Sequence, residues 1–132
     1  MARISQSEVV HLDTHVVCWL YEGRTDLLSS AARHALERGQ LAISPIVDLE
    51  LQLLHEIGRI LKGPQTVLPA LGREIGLQAA ESPFASVVAA ARDIGWTRDP
   101  FDRLIVAGAV LAGAKLVTRD RLIRRHCPVA LW

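Results

Sequence analysis

Short β-branched apolar runs alternate along this chain with longer stretches whose apolar residues return every three or four positions. The first run, Val9-Val-His-Leu-Asp13, is compact and ends on an acid, so it reads as a buried strand. Thr14 to Tyr21 reads as a helix with apolar faces from Val16, Val17, Trp19 and Leu20. A second helix is expected over Ser30 to Arg38, with Ser29 as N-cap and Gly39 as the stop. Leu41 to Ile43 is a second short strand. Ser44-Pro45 then opens a long helix, since serine caps and proline in the first turn gives up no needed N–H. Ile46, Leu49, Leu53, Ile57 and Ile60 predict its buried stripe, and Gly63-Pro64 its end.

The middle of the pattern is weaker. Pro69 to Ile75 reads as a helix stopped by Gly76, and Leu77 to Ala80 as a strand despite its alanines. Phe84 to Ile94 is a helix after Ser82-Pro83 and before Gly95. Asp99-Pro100 starts the last long helix, running to about Ala112. Lys115 to Thr118 is a strand, Asp120 to His126 a short helix, and Val129 to Leu131 a terminal strand. Strands alternating with helices imply a parallel sheet with helices on both faces.

Composition narrows the class. With 132 residues, the chain is expected to form one domain over 1–132. Half the residues are hydrophobic and 22% are charged, which excludes intrinsic disorder. The formal charge of +1 gives no global field towards nucleic acid or membrane, so any polyanion must meet a local basic patch. The longest uncharged apolar stretch, Leu104 to Ala114, is too short to span a bilayer, and the N-terminus lacks the apolar core of a signal peptide. Cys18 and Cys127 are separated widely and expected to be free thiols in a reducing cytoplasm.

Ligands of open parallel sheets collect at the carboxyl ends of the strands. Asp13 ends the first strand, and Asp120 lies just past the Lys115–Thr118 strand, so both belong to one rim. Asp99 suits an N-cap, whereas Asp102 in the same first turn carries more carboxylate than capping requires. Glu50 lies one turn after Ile46, at the border of the expected buried stripe, and Asp48 points elsewhere. Each acid alone has an ordinary structural explanation. Together they do not: two carboxylates about 5 Å apart repel by roughly 3 kcal/mol at an effective dielectric near 20. A convergent cluster must be neutralised by protons or cations. All-oxygen ligands favour Mg²⁺ or Mn²⁺ over zinc, and such ions promote phosphodiester hydrolysis. Arg103 follows Asp102, and Arg119 and Arg121 flank Asp120, which suits a substrate with several phosphates.

Other chemistries lack their motifs. No phosphate-binding glycine loop, HExxH zinc pair or GxSxG elbow occurs. His15 is near enough to Asp13 to line a pocket, but a packing or surface role explains it better. Cys18 sits on an apolar helix face and Trp96 near the Asp99 run, and both read as core.

Four segments then bring a family into view: Val10-His-Leu-Asp-Thr-His-Val-Val-Cys-Trp-Leu20, Ile43-Ser-Pro-Ile-Val-Asp-Leu-Glu50, Arg98-Asp-Pro-Phe-Asp-Arg103 and Leu116-Val-Thr-Arg-Asp120. In order and spacing the chain resembles the PIN domain and, within it, the VapC-type toxins of bacterial toxin–antitoxin pairs. The resemblance implies a three-layer α/β/α sandwich with a parallel central sheet and a metal-dependent ribonuclease. It places the acidic site on Asp13, Glu50, Asp102 and Asp120, with Asp99 peripheral and the Thr14 and Thr118 hydroxyls in support. Asp13, Asp102 and Asp120 would ligate the metal, and Glu50 would ligate it or orient the attacking water. It also implies a homodimer and a small VapB-type antitoxin, whose C-terminal segment would lie against Trp19, Leu20 and Leu27 and send an arginine to the acids. One departure is Ile94-Gly-Trp-Thr97, where relatives often carry a histidine.

The expected function is therefore a cytoplasmic, Mg²⁺- or Mn²⁺-dependent endoribonuclease, with transfer RNA a common target among relatives. The alternative is a PIN-like module that binds RNA or protein without cutting. A phosphoacceptor receiver domain fits less well, because it needs a second acidic strand end where this chain has Ile43-Ser44-Pro45.

Overall fold

The computed structural model describes residues 8–132, so the N-terminal stretch in which no signal peptide is expected lies outside it. Among the described residues, five strands alternate with seven α-helices. The strands are β1 (Val9–Leu12), β2 (Gln40–Ile43), β3 (Gln78–Ala79), β4 (Lys115–Val117) and β5 (Ala130–Leu131). The helices are α1 (Thr14–Tyr21), α2 (Ser30–Arg38), α3 (Ile46–Glu56), α4 (Pro64–Ile75), α5 (Phe84–Arg92), α6 (Pro100–Leu111) and α7 (Arg121–His126). A single 3₁₀ turn covers Thr25–Leu27.

Every strand pair is parallel, in the order β3-β2-β1-β4-β5. The chain builds outwards from β1 to β2 and β3, then returns to lay β4 on the other side of β1. Val10 faces Leu41 of β2 and Lys115 of β4. Strand alternation sends Val10 and Leu12 to one side, into a core with Val16, Val17, Val47, Leu51, Val67 and Leu71. His11 points the other way. A smaller cluster of Val87, Ala91 and Ala107 joins α5 to α6.

Several expectations change. The buried face of α3 is Val47 and Leu51, whereas Leu49, Leu53 and Ile57 are exposed at 51%, 40% and 67%. In so apolar a helix two i, i+4 series coexist, and periodicity cannot say which meets the sheet. The helix ends at Glu56 rather than just before Gly63-Pro64, because Gly58 adopts φ +78° and turns the chain. The next helix starts at Pro64, not Pro69: Pro64 takes the N-terminal position and Pro69 sits inside. Helix α5 closes at Arg92, short of Ile94, and β3 shrinks to two residues. The N-cap of α3 is Pro45 rather than Ser44, and no side chain caps the helix: Ser44 lies one residue further out, its carbonyl accepting from Val47 N–H at 2.9 Å.

Candidate active site at the carboxyl edge of the sheet

Because β1 has β2 on one side and β4 on the other, the chain changes direction between β1 and β4. That is where an open parallel sheet leaves a crevice at its carboxyl edge. Asp13 stands at this point. Its backbone N–H donates to the Val117 carbonyl at 3.0 Å, extending the β1–β4 ladder by one residue. Asp13 is therefore delivered by the sheet itself, and it caps α1 by accepting from Thr14 N–H at 2.8 Å.

Two threonines beside Asp13 hold other acidic residues of this edge. Thr118 Oγ1, fully buried, donates to Asp13 Oδ2 at 2.7 Å and accepts from Asp120 N–H at 3.1 Å. One threonine thus links the carboxylate after β1 to the residue that caps α7. Asp120 in turn accepts from Ile123 N–H at 2.9 Å. On the other side, Thr14 Oγ1 donates to Glu50 Oε1. Glu50 lies next to the observed buried face of α3, three residues after Val47. It borders the core as expected, though on a different stripe.

Asp102 enters from α6. Asp99 caps that helix, its Oδ1 accepting from Phe101 N–H at 2.8 Å and Asp102 N–H at 3.2 Å. The division of labour expected from the sequence holds in geometry: Asp99 is occupied by the backbone and Asp102 is not.

Electrostatics reports that these acids feel one another. Burial, followed by the charges of Asp99, Asp13, Asp120 and Glu50, pushes Asp102 up to about 7. Burial also raises Asp13, opposed by its bonds from Thr118 and Thr14, with Asp120 adding to the rise. Glu50 is raised by burial and by Asp13 and Asp99, opposed by Thr14. The charges of Asp99, Asp13, Asp120 and Glu50 thus all act on Asp102.

The surrounding residues sort differently. Arg119 and Arg121 are exposed beside Asp120. Arg103 is half-buried, and its Nε–H donates to the Thr97 carbonyl at 2.8 Å, so it fastens the loop before α6. Thr97 joins this loop to the start of α6. Its hydroxyl accepts from Asp99 N–H at 3.2 Å, a local serine/threonine turn that a Thr two positions before a capping Asp can signal. Trp96 is half-buried and stacks on His126, rings 5.1 Å apart and 11° from parallel, joining the α6 approach to the end of α7. Cys18 and Cys127 are free, and burial pushes the Cys18 thiol up to about 11. Trp19 packs against Trp132 and His15, whereas Leu20 lines a cleft of about 550 Å³ with Leu28, Leu36 and Ile75.

The donor set suits a hard divalent cation: it is all carboxylate and hydroxyl oxygen, and its members oppose one another's ionisation. Among the described residues, no three histidine, cysteine or acidic side chains stand close enough to grip an ion without adjusting. Like charges without a counter-ion hold themselves apart, and a cation reverses that preference.

Comparison with known proteins agrees with this architecture. The PIN domain model matches residues 10–127. The chain is 35% identical over 136 residues to Ribonuclease VapC22 of Mycobacterium tuberculosis, covering 93% of this chain and 98% of the relative. Its fold resembles VapBC2 from Rickettsia felis, solved bound to a DNA fragment from its promoter, with a TM-score of 0.67 at 21% identity. It resembles a toxin–antitoxin complex from Klebsiella pneumoniae to the same degree, and both alignments cover 93% of this chain and 96% of the other. With the match running from β1 to the residue after α7, the chain belongs to the PIN domain family.

Proposed function

We propose that this chain is a metal-dependent endoribonuclease, the toxin of a toxin–antitoxin pair, that hydrolyses RNA phosphodiester bonds. The observation that carries the reading is the set of acids at the carboxyl edge of the sheet: Thr118 bonds Asp13 and the backbone of Asp120, Thr14 bonds Glu50, and the charges of all three act on Asp102. The likeness to a named ribonuclease over nearly the whole chain supports it.

Asp13, Asp102, Asp120 and Glu50 would hold Mg²⁺ or Mn²⁺. The chemistry that such an ion supplies is polarisation of a phosphoryl oxygen and acidification of water. The protein's own residues do the rest. Thr118 and Thr14 restrain the Asp13 and Glu50 carboxylates through their hydroxyls, so these two acids need less reordering when a cation draws the set together. Glu50 orients the attacking water. Asp102, pushed up to about 7 in the metal-free chain by burial and the neighbouring acids, would give up its proton on joining the others in holding the ion. Arg119 and Arg121 draw the flanking phosphates of the strand to the rim.

The partners in this reading are an RNA substrate, a second copy of the chain in a homodimer and a VapB-type antitoxin. The test is incubation of structured RNA with the purified chain in Mg²⁺ or Mn²⁺, against a chelator and against Asp102→Asn. Cleavage that needs both the ion and Asp102 supports the proposal. RNA binding without cleavage under every ion condition would instead make the chain a binding module.

A further inference from the structure

Asp102 differs from its companions in how it is held. Among the described residues, Thr118 bonds Asp13 and the Asp120 backbone, and Thr14 bonds Glu50, but no hydroxyl reaches the Asp102 carboxylate. Its aim depends on where the first turn of α6 stands. The buried residues of that helix begin at Ile105. Packing on α3, α5 and β4 therefore places the body of α6 and leaves Asp102 ahead of the packed part.

Short-range bonds join the first turn to the loop before it. Arg103 Nε–H donates to the Thr97 carbonyl, Thr97 Oγ1 accepts from Asp99 N–H, and Asp99 caps the helix. These bonds make one unit of residues 97–103, yet none of them ties that unit to the rest of the fold. Trp96 supplies the tie. Half-buried, it packs against the main core and stacks on His126, the last residue of α7. The ring separation of 5.1 Å and the angle of 11° suit an offset aromatic stack. Helix α7 is itself well anchored: Thr118 holds the backbone of its capping Asp120, and Ile123 and Cys127 are buried. Helices α6 and α7 make little direct contact, so the stack bridges the unit that carries Asp102 and the helix that Asp120 caps.

We propose that Trp96, braced on the His126 ring, is a positioning residue of the metal site, holding the first turn of α6 so that the Asp102 carboxylate meets a cation shared with Asp13 and Asp120. The inference rests on the metal-dependent nuclease reading and adds to it a residue that acts through Asp102. Like charges push a carboxylate outwards when no ion is bound, and a braced mount limits that retreat. Supporting partners of this kind govern metal affinity without touching the metal.

The test is Mn²⁺ affinity of the intact chain without RNA, read by electron paramagnetic resonance, together with backbone amide resonances of the metal-free chain. His126→Ala removes one ring from an exposed position and leaves the core untouched, and Trp96→Ala removes the other. Each should weaken Mn²⁺ binding about tenfold, the scale on which loss of a supporting partner acts. In metal-free His126→Ala, the amide signals of Asp99 and Asp102 should move while that of Thr14 stays. His126→Phe and Trp96→Phe keep two flat rings and should return affinity to within about threefold of the parent. Thermal melts identify the folded variants, and His126→Ala carries the test if Trp96→Ala unfolds. Parent-like Mn²⁺ affinity in folded His126→Ala overturns the proposal and leaves the nuclease reading standing. A weakening that the phenylalanine variants fail to restore does the same. A parent chain that binds no Mn²⁺ overturns both.

Discussion

Thr118 and Asp13 lie 105 positions apart, yet the threonine hydroxyl donates to the aspartate Oδ2 at 2.7 Å, with both side chains buried. The same hydroxyl accepts from Asp120 N–H. One small side chain therefore sets the aim of the first acid and the path of the chain leading to the last. Thr118→Val keeps the shape and removes both bonds. It should destabilise the fold by about 1–3 kcal/mol in urea unfolding, because a buried carboxylate oxygen loses its partner. It should also move the acid limb of RNA cleavage to higher pH, since this bond holds the Asp13 affinity for protons down. An unshifted acid limb would assign Thr118 a purely structural part.

Asp102 offers a stability signature that needs no substrate. Its affinity for protons is raised in the fold to about 7, above the ordinary carboxylate value, first by burial and then by the neighbouring acids. The folded state thus holds a proton that the unfolded chain has released, so stability should fall as pH rises from about 4 to about 7. Partial exposure screens the effect, and a melting temperature change of a few degrees, about 3–6 °C, is the expected scale. Asp102→Asn should flatten that slope and melt higher than the parent at pH 7. Added Mg²⁺ should stabilise the parent and leave the variant nearly unmoved. A parent whose stability climbs from pH 4 to 7 as steeply as the variant's would contradict the shared negative hollow.

Asp99 separates capping from catalysis. Asp99→Ser retains an oxygen for the Phe101 and Asp102 N–H groups while deleting the charge that contributes most, after burial, to the rise at Asp102. Cleavage should stay within about threefold of the parent, while Asp99→Ala should cost about 1 kcal/mol of stability. The ionisation midpoint of Asp102, followed by NMR, should fall below that of the parent. A hundredfold loss of cleavage in a folded Asp99→Ser would move Asp99 into the metal-holding set.

Arg119 and Arg121 are expected to bind the substrate backbone. Replacing either by Ala should lower RNA affinity and reduce the slope of log affinity against log salt by about 0.7 for each phosphate no longer neutralised, as for single strands. The cleavage rate at saturating RNA should change little. Unchanged salt slopes in filter-binding titrations would place the RNA track elsewhere.

Much of this protein was legible in the order of its residues. Asp13, Asp99 and Asp120 sit at element boundaries that capping chemistry announces, and the structure finds each of them accepting from the backbone of the helix it precedes. The α3 stripe was not legible, because Ile46, Leu49, Leu53 and Ile57 compete with Val47 and Leu51 on equal periodic terms. Pro69 looked like a helix start, while Pro64, one residue after Gly63, is the one whose missing N–H costs nothing. Thr97 and the Trp96–His126 stack had no periodic signal at all, since they join an irregular loop to distant elements.

Local patterning by itself determined the alternation of strand and helix, the helix caps and the acid-bearing motifs, because each depends on residues within a turn of one another. Only the tertiary structure decided which face of α3 meets the sheet, that β4 returns beside β1, and that Thr118 reaches Asp13. Those outcomes depend on side chains brought together by parallel crossovers, and parallel pairing carries no information in the stretch of chain on either side of it.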